Sequence, residues 1–259
     1  MPELPEVETV RRVLEERLKG RKLTSYEIGR PTFYRPPPRA QLDALIGATI
    51  VAVGRRGKYL ILSFSVGREL IMHLGMSGRI ILGGKGPHTR FQFTVEGEVV
   101  TFNDARRFGR VGCELPEFGP EPLSAEFDAR YLFMALRKRK APIKAMLMDQ
   151  AVVAGLGNIY ATEALFAAGI RPGKAAGGLT LAQCEKLVSV IKTVIALGVE
   201  LGGSTLDDSA YLDPLGRPGG FQKQVAVYGR KTGACGHSLK ATRQMIAGRT
   251  SMYCPVCQK

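Results

Sequence analysis

The chain changes periodicity once, and that change constrains its architecture more than any other feature. Before Phe118-Gly-Pro-Glu-Pro-Leu123 the sequence runs in short β-type segments broken by glycine; after it, apolar residues recur at helical spacing. The early segments fall at 48–53, 59–64, 70–73, 79–82, 91–95, 99–102 and 110–115. Several short strands at this spacing read as a sandwich or barrel. One helix precedes them. Val7, Val10, Leu14 and Leu18 form an apolar stripe over 4–19, and Gly20 stops it. Beyond the Pro/Gly punctuation, helices are predicted over 131–136, 143–148, 159–168 and 181–199. The last opens on Thr180 with Gln183 three residues on, a capping-box pattern. The two textures predict an α+β chain with a linker near Phe118.

Charge narrows the function classes. The 259 residues carry 37 Lys+Arg against 23 Asp+Glu, a net charge of +14. Such a surplus points to a polyanionic partner, most often nucleic acid. A basic soluble enzyme is the other reading of the same number. Hydrophobic residues at 45% exclude disorder as a description of the whole. No apolar run reaches the ~18–20 residues that cross a bilayer, and Met-Pro-Glu-Leu-Pro-Glu lacks a signal-peptide layout. A cytoplasmic protein with no membrane partner is expected.

Five cysteines are too few for a disulfide framework. Cys113 and Cys184 are isolated and read as core residues. Cys254-Pro-Val-Cys257 is a thiolate pair of metal-knuckle spacing. Cys235 and His237 are the nearby candidates to complete four ligands, with 16 residues between His237 and Cys254. One structural Zn2+ is expected on these four side chains. A hairpin that has lost its metal, with His237 in solvent, is the alternative.

Other candidates are weak taken singly. Lys58 in Arg55-Arg-Gly-Lys58 reads first as a surface lysine, and His73 as a structural histidine. Asn158 follows Gly155-Leu-Gly157 at a helix start, where free N–H groups suit phosphate. Arg249 lies within the cysteine-bearing segment. The stretch 202–221 is rich in Gly, Ser, Asp and Pro, and loops of that length are commonly functional or mobile. Pro2 would offer a secondary amine once Met1 is removed. A pKa near ~8 leaves part of it neutral, and the positive end of the following helix disfavours the ammonium. Glu3 and Glu6 flank it, although glutamates in a first helical turn are ordinary.

These stretches also occur together and in order: Pro2-Glu-Leu-Pro-Glu-Val7, Arg56-Gly-Lys-Tyr-Leu60, His73-Leu-Gly-Met-Ser-Gly78, Arg106-Arg-Phe-Gly109, Gly155-Leu-Gly-Asn-Ile-Tyr-Ala161 and Tyr228-Gly-Arg230. With them the chain resembles, over essentially its whole length, the bacterial formamidopyrimidine-DNA glycosylases that repair 8-oxoguanine. The resemblance implies a helix and β-sandwich catalytic domain over 1–118 and a helix–two-turn–helix domain over 119–224. A lesion-recognition loop would lie near 204–221 and a zinc-finger hairpin over 225–259. DNA would lie in a basic cleft between the halves. Pro2 would attack C1′ of a flipped, oxidised purine nucleotide and form a Schiff base, with β,δ-elimination to follow. Glu3 would be the acid/base group, and Glu6 would hold the N-terminus. Lys58, His73, Asn158 and Arg249 would clamp phosphates. Met76, Arg106 and Phe108 would enter the duplex, with Arg106 pairing with the orphaned cytosine. His88 and Lys144 join the DNA-contacting set. The partner would be double-stranded DNA containing oxidised purines, met by a monomer.

One departure stands out. Cys235-Gly-His237 replaces the C-x-x-C usual in these enzymes, with His237 where the second cysteine would fall, while Arg249 keeps its distance of five residues from Cys254. Two competing readings are an endonuclease VIII-like glycosylase for oxidised pyrimidines and a non-catalytic DNA-binding protein. Leu4 and the Met76/Arg106/Phe108 set argue against the first; intact Pro2, Glu3, Glu6 and Lys58 argue against the second.

Overall fold

A computed structural model of the chain describes residues 2–206 and 211–259. They divide into two compact units, Met1–Pro116 with Gly198–Gln222, and Glu117–Leu197 with Lys223–Lys259.

The first unit opens with helix α1 (Leu4–Leu18), whose stripe of Val7, Val10, Leu14 and Leu18 is buried. Strands β1 (Leu23–Ile28), β2 (Ile50–Arg56), β3 (Tyr59–Phe64), β4 (Glu69–His73), β5 (Gly78–Leu82), β6 (Thr89–Val95), β7 (Glu98–Asp104) and β8 (Arg110–Gly112) follow, with the short helix α2 (Arg39–Asp43) after β1. They form two four-stranded sheets of order β1-β6-β7-β5 and β2-β3-β4-β8. All pairings are antiparallel. Side chains alternate between faces along a strand, so Leu60, Leu62 and Phe64 of β3 point into the core that both sheets share with α1. The alternation that marks β3 in the sequence is weak in β1, where only Leu23 is buried. That is why β1 has no counterpart among the expected strands. α2 contributes one buried side chain, Leu42, too little for a helical stripe. The expected strand 110–115 ends at Gly112, where its pairing with Ile71 of β4 stops.

The second unit holds α3 (Ala129–Leu136), α4 (Ile143–Met148), α5 (Asn158–Ala168), most of α6 (Leu181–Glu200), and a small hairpin of β9 (Lys240–Ala241) and β10 (Met252–Tyr253). Asp128 caps α3 by accepting the Tyr131 N–H at 2.6 Å. The capping box of α6 closes both ways: the Thr180 N–H donates to Gln183 Oε1 at 3.1 Å, and the Gln183 N–H to Thr180 Oγ1 at 3.2 Å. α5 is buried on nearly every face, as a helix apolar all round must be.

The expected boundary near Phe118 lies close to the division at Pro116, but the return segment 198–222 does not group with the helices. The reason is polar. The Leu82 N–H donates to the Pro214 carbonyl at 3.1 Å, and the Ser204 N–H to a Glu6 carboxylate oxygen at 2.6 Å. The expected lesion loop over 204–221 includes residues 207–210, which lie outside the described residues. Among the described residues, no helix is long and apolar enough to cross a membrane.

Candidate functional site

In the first unit, chemistry concentrates where α1 begins. Glu3 stands at its N-cap with extended backbone, φ −109°. The Glu3 N–H donates to Glu6 Oε2 at 2.8 Å, while Glu6 Oε1 takes the Ser204 N–H. Glu6 is thus a buried carboxylate with both oxygens engaged, the arrangement a buried charge requires. Gly203 makes this possible. At φ +82° it lies where a Cβ would meet Glu6 Cγ at 2.7 Å. Tyr211 adds a third tie, its hydroxyl within reach of the Glu6 carbonyl at 3.3 Å and the Gly202 carbonyl at 3.2 Å. Pro2 and Glu3 are buried beside this network. Lys58 comes from the two-residue turn Gly57-Lys58 between β2 and β3 and is 7% exposed. Burial lowers its pKa, and the charges of Glu3 and Glu6 act in the opposite direction. Lys58 is therefore no surface lysine; it faces the same carboxylates that surround Pro2.

The loop after β4 and the loop after β7 interlock. His73 is held at a pKa of about 4, mainly by burial and further by Lys58 and Arg110. Its Nδ1 accepts the Gly75 N–H at 3.2 Å, which leaves the proton of the neutral ring on Nε2 as a donor. Gly75, at φ +65°, lets the loops close: a Cβ there would meet the Phe108 carbonyl carbon at 2.6 Å. Ser77 Oγ donates to Asp104 Oδ1 at 2.5 Å, and Asp104 also receives the Arg106 N–H at 3.2 Å and the Gly109 N–H at 2.7 Å. This buried carboxylate shapes the loop that carries Arg106 and Phe108. Phe108 is 43% exposed, and the Arg106 guanidinium lies 4.9 Å from its ring centroid. Met76, half-buried, comes from the partner loop, and His88 is exposed ahead of β6.

In the second unit, Asn158 heads α5, with its Nδ2 3.4 Å from the Tyr228 hydroxyl. Glu163, one turn further along, accepts three successive backbone N–H groups: Ala226 at 2.7 Å, Val227 at 3.1 Å and Tyr228 at 2.7 Å. Arg249 follows a tight turn at Ala247-Gly248, closed by reciprocal backbone bonds between Ile246 and Arg249 of 2.8 and 3.0 Å. Lys144 does not stand where a DNA-contacting side chain would. It is fully buried and donates to Ser251 Oγ at 2.7 Å. A desolvated ammonium needs such partners, so Lys144 braces the hairpin beside Arg249.

Cys235, His237, Cys254 and Cys257 bring one ligand atom each to within 4.8 Å of one another. Tetrahedral zinc, with bonds of ~2.3 Å to sulfur and ~2.0–2.1 Å to imidazole nitrogen, sets S···S near ~3.8 Å and S···N near ~3.5 Å. The Cys235–Cys254 sulfurs are 3.7 Å apart, and His237 Nδ1 lies 3.7 Å from Cys254 Sγ and 3.5 Å from Cys257 Sγ. Burial opposes ionisation of Cys254, but the backbone N–H groups of Cys257 and Val256, together with the Cys257 and Cys235 thiols, lower its pKa to about 6, while the Cys254 thiol, burial and the Cys235 thiol push Cys257 up to about 11. The donor set and its spacing fit a divalent, thiophilic ion.

Asp104, Ser77, Tyr211, Glu163 and Ser251 were not among the expected site residues. Each acts through backbone groups or a buried partner. The only trace in the sequence is an acid or hydroxyl beside a motif, as in Asn103-Asp-Ala-Arg106.

A DNA-acting enzyme, strongly basic, with a buried cluster of acids and a lysine at the head of its first helix and a four-ligand Cys/His hairpin, is the class these features define. Residues 1–111 match the model of the formamidopyrimidine-DNA glycosylase N-terminal domain, and residues 118–210 that of the H2TH domain of the same enzymes. The chain is 44% identical to the formamidopyrimidine-DNA glycosylase of Thermus thermophilus over 272 residues, covering 100% of this chain and 98% of that protein. It is 42% identical to that of Cereibacter sphaeroides over 285 residues, with all of both chains covered. The crystal structure of MutM (Fpg) from Thermus thermophilus superposes with a TM-score of 0.90 at 42% identity, over 99% of this chain and 98% of that one. Lactococcus lactis Fpg in complex with abasic-site DNA gives 0.88 at 35%, over 99% of each. The chain belongs to the formamidopyrimidine-DNA glycosylase family.

Proposed function

We propose that the protein is a bifunctional glycosylase and abasic-site lyase that removes 8-oxoguanine and formamidopyrimidines from duplex DNA. The observation that carries the reading is Pro2 buried beside Glu3, Glu6 and Lys58. With Met1 removed, the Pro2 nitrogen attacks C1′, a C–N bond forms, and the bond from C1′ to the base breaks. The departing base takes a proton, supplied with the help of Glu3. The nitrogen gives up its proton, the C1′–O4′ bond of the resulting aminal breaks as O4′ takes a proton, and the iminium so formed is an electron sink, so Glu3 can next remove a C2′ proton and the 3′ phosphate leaves; loss of the 5′ phosphate completes a one-nucleotide gap. Glu6 fixes the Glu3 backbone throughout. Such chemistry needs the damaged nucleotide out of the stack. Met76 and Phe108 fill the vacated space, while Lys58, His73 through Nε2–H, Asn158 and Arg249 hold the phosphates. His88 makes an outer contact. A mutant of Lactococcus lactis Fpg in complex with DNA containing Fapy-dG, a structure similar at a TM-score of 0.89, supports the substrate class. Zn2+ held by Cys235, His237, Cys254 and Cys257 would cross-link the hairpin and take no part in bond breaking.

Borohydride trapping on duplexes carrying 8-oxoguanine, thymine glycol or no lesion tests the reading. The expected adduct is on Pro2 and strongest with 8-oxoguanine. An adduct on a lysine, or a preference for thymine glycol, overturns it. Arg106 can donate to O2 and N3 of a partner cytosine, so activity opposite cytosine should exceed that opposite adenine. Arg106→Ala should lose ~1–3 kcal/mol of that discrimination, read as the ratio of kcat/KM on the two duplexes.

A further inference from the structure

Tyr34 is a large aromatic residue, 67% exposed, with a built seat. Its ring lies 5.9 Å from that of Phe108, tilted by 32°, and the Arg107 guanidinium sits 4.7 Å from its centroid. Arg107 is itself held: its Nε donates to the Thr32 carbonyl at 2.6 Å, and its own carbonyl takes the Tyr34 N–H at 3.3 Å. These bonds keep Arg107 at φ +62°, a conformation an arginine rarely adopts. Beneath them, the buried Arg90 guanidinium bridges the two loops, donating to the Asp104 carbonyl at 2.8 Å and the Pro31 carbonyl at 2.9 Å. An aromatic ring braced this firmly yet left largely in water is suited to receive another flat surface.

The surroundings identify that surface. Arg35 and Arg106, exposed, flank the Tyr34–Phe108 pair. A concavity of about 530 Å³ lined by Arg35, Arg110, Tyr59 and His73, with Glu114 as its one acid, continues the basic surface toward His73. Aromatic rings set among arginines are the means by which proteins hold unstacked nucleotides.

We infer that Tyr34 is a second DNA-contacting aromatic, stacking on the partner-strand nucleotide next to the base left behind when the damaged nucleotide leaves the helix. This rests on the proposed function, since Phe108 must be in the duplex for Tyr34 to reach that strand. Tyr34 would share with Phe108 the task of holding the opened duplex, and Arg107 would set the tilt of its ring.

The test uses the full-length protein and a duplex containing a tetrahydrofuran abasic analogue, with 5-iodouracil placed in the partner strand on either side of the base opposite the analogue. Irradiation should cross-link the protein at Tyr34, identified by peptide mapping. Tyr34→Ala should weaken binding of the same duplex without iodouracil by at least about fivefold, the lower end for loss of one base–aromatic stack, and Tyr34→Phe should restore most of it. Cross-linking only at other residues overturns the inference even if Tyr34→Ala binds weakly, because the ring would then act only by supporting Phe108. Unchanged affinity of Tyr34→Ala also overturns it. Borohydride trapping by the unaltered protein reports separately on the chemistry at Pro2.

Discussion

The two ends of the chain hold charged groups in place by opposite means. At the N-terminus, Glu3, Glu6 and Lys58 are fixed by burial against a sandwich core, and Glu6 is matched oxygen by oxygen to backbone N–H groups. At the C-terminus, Arg249 sits on a hairpin whose strands are two residues each. Too little apolar surface lies there to hold it by burial, and four ligand side chains take the place of a core. The first device gives a site in which burial lowers the Lys58 pKa; the second gives a site whose position would depend on an ion held by the four side chains. The comparison predicts that the two ends fail independently.

Metal removal should have the largest effect, since structural zinc contributes roughly 10–16 kcal/mol in small fingers. Chelation should abolish tight DNA binding while the sandwich unfolds at an unchanged temperature. His237→Ala should lose the metal, and His237→Cys should retain most of it. Elemental analysis of protein purified without chelator decides the point. Protein purified without zinc would remove the metal from this comparison, and zinc content indifferent to His237→Ala would remove His237 from the ligand set.

Glu3→Gln comes next. Loss of a positioned acid/base group lowers turnover by roughly 10²–10⁴-fold. DNA affinity should change little, because no phosphate contact is assigned to Glu3. A parallel loss of binding would mean that burial at this end serves the fold rather than the reaction.

His73 gives the sandwich a stability signature of its own. Its folded pKa of about 4 lies below the ordinary 6.5. The unfolded chain therefore binds the proton first. The contribution is fully present above pH 6.5 and is lost as pH falls through about 4. A shift of this size corresponds to about 3 kcal/mol. Denaturant midpoints of wild type and His73→Gln, compared between pH 7 and pH 4, should diverge by that order. Parallel curves would show that His73 titrates normally.

The smallest effect is at Arg249. Arg249→Ala should weaken binding to all sequences alike and reduce the salt slope by about one unit, at ~0.9 per phosphate on duplex DNA. An unchanged slope would place Arg249 off the phosphate.

How much of this was legible depends on what carries each feature. β3 and α4 match their expected spans to the residue because alternation and apolar spacing are side-chain properties that a sequence displays. β1 was hidden because most of its side chains face solvent. Pro2, Glu3 and Glu6 were visible as a helix start, but the partner that completes Glu6 is a backbone N–H at Ser204, and a backbone group leaves no mark in the residue code. Asp104 and Glu163 were missed for the same reason. Lys144 was assigned to DNA by its match to a family lysine, and only its burial against Ser251 shows a bracing role.

The bond from Ser204 to Glu6 spans 198 positions along the chain. On a ribosome adding about 5–20 residues per second, Glu6 precedes its partner by roughly ten to forty seconds. Throughout that interval Glu6, which positions the Glu3 backbone, lacks the clamp supplied by Ser204. With Pro2 as the nucleophile proposed above, the growing chain would hold its amine before the site is finished, and competence to act on DNA would arrive only when synthesis is nearly complete.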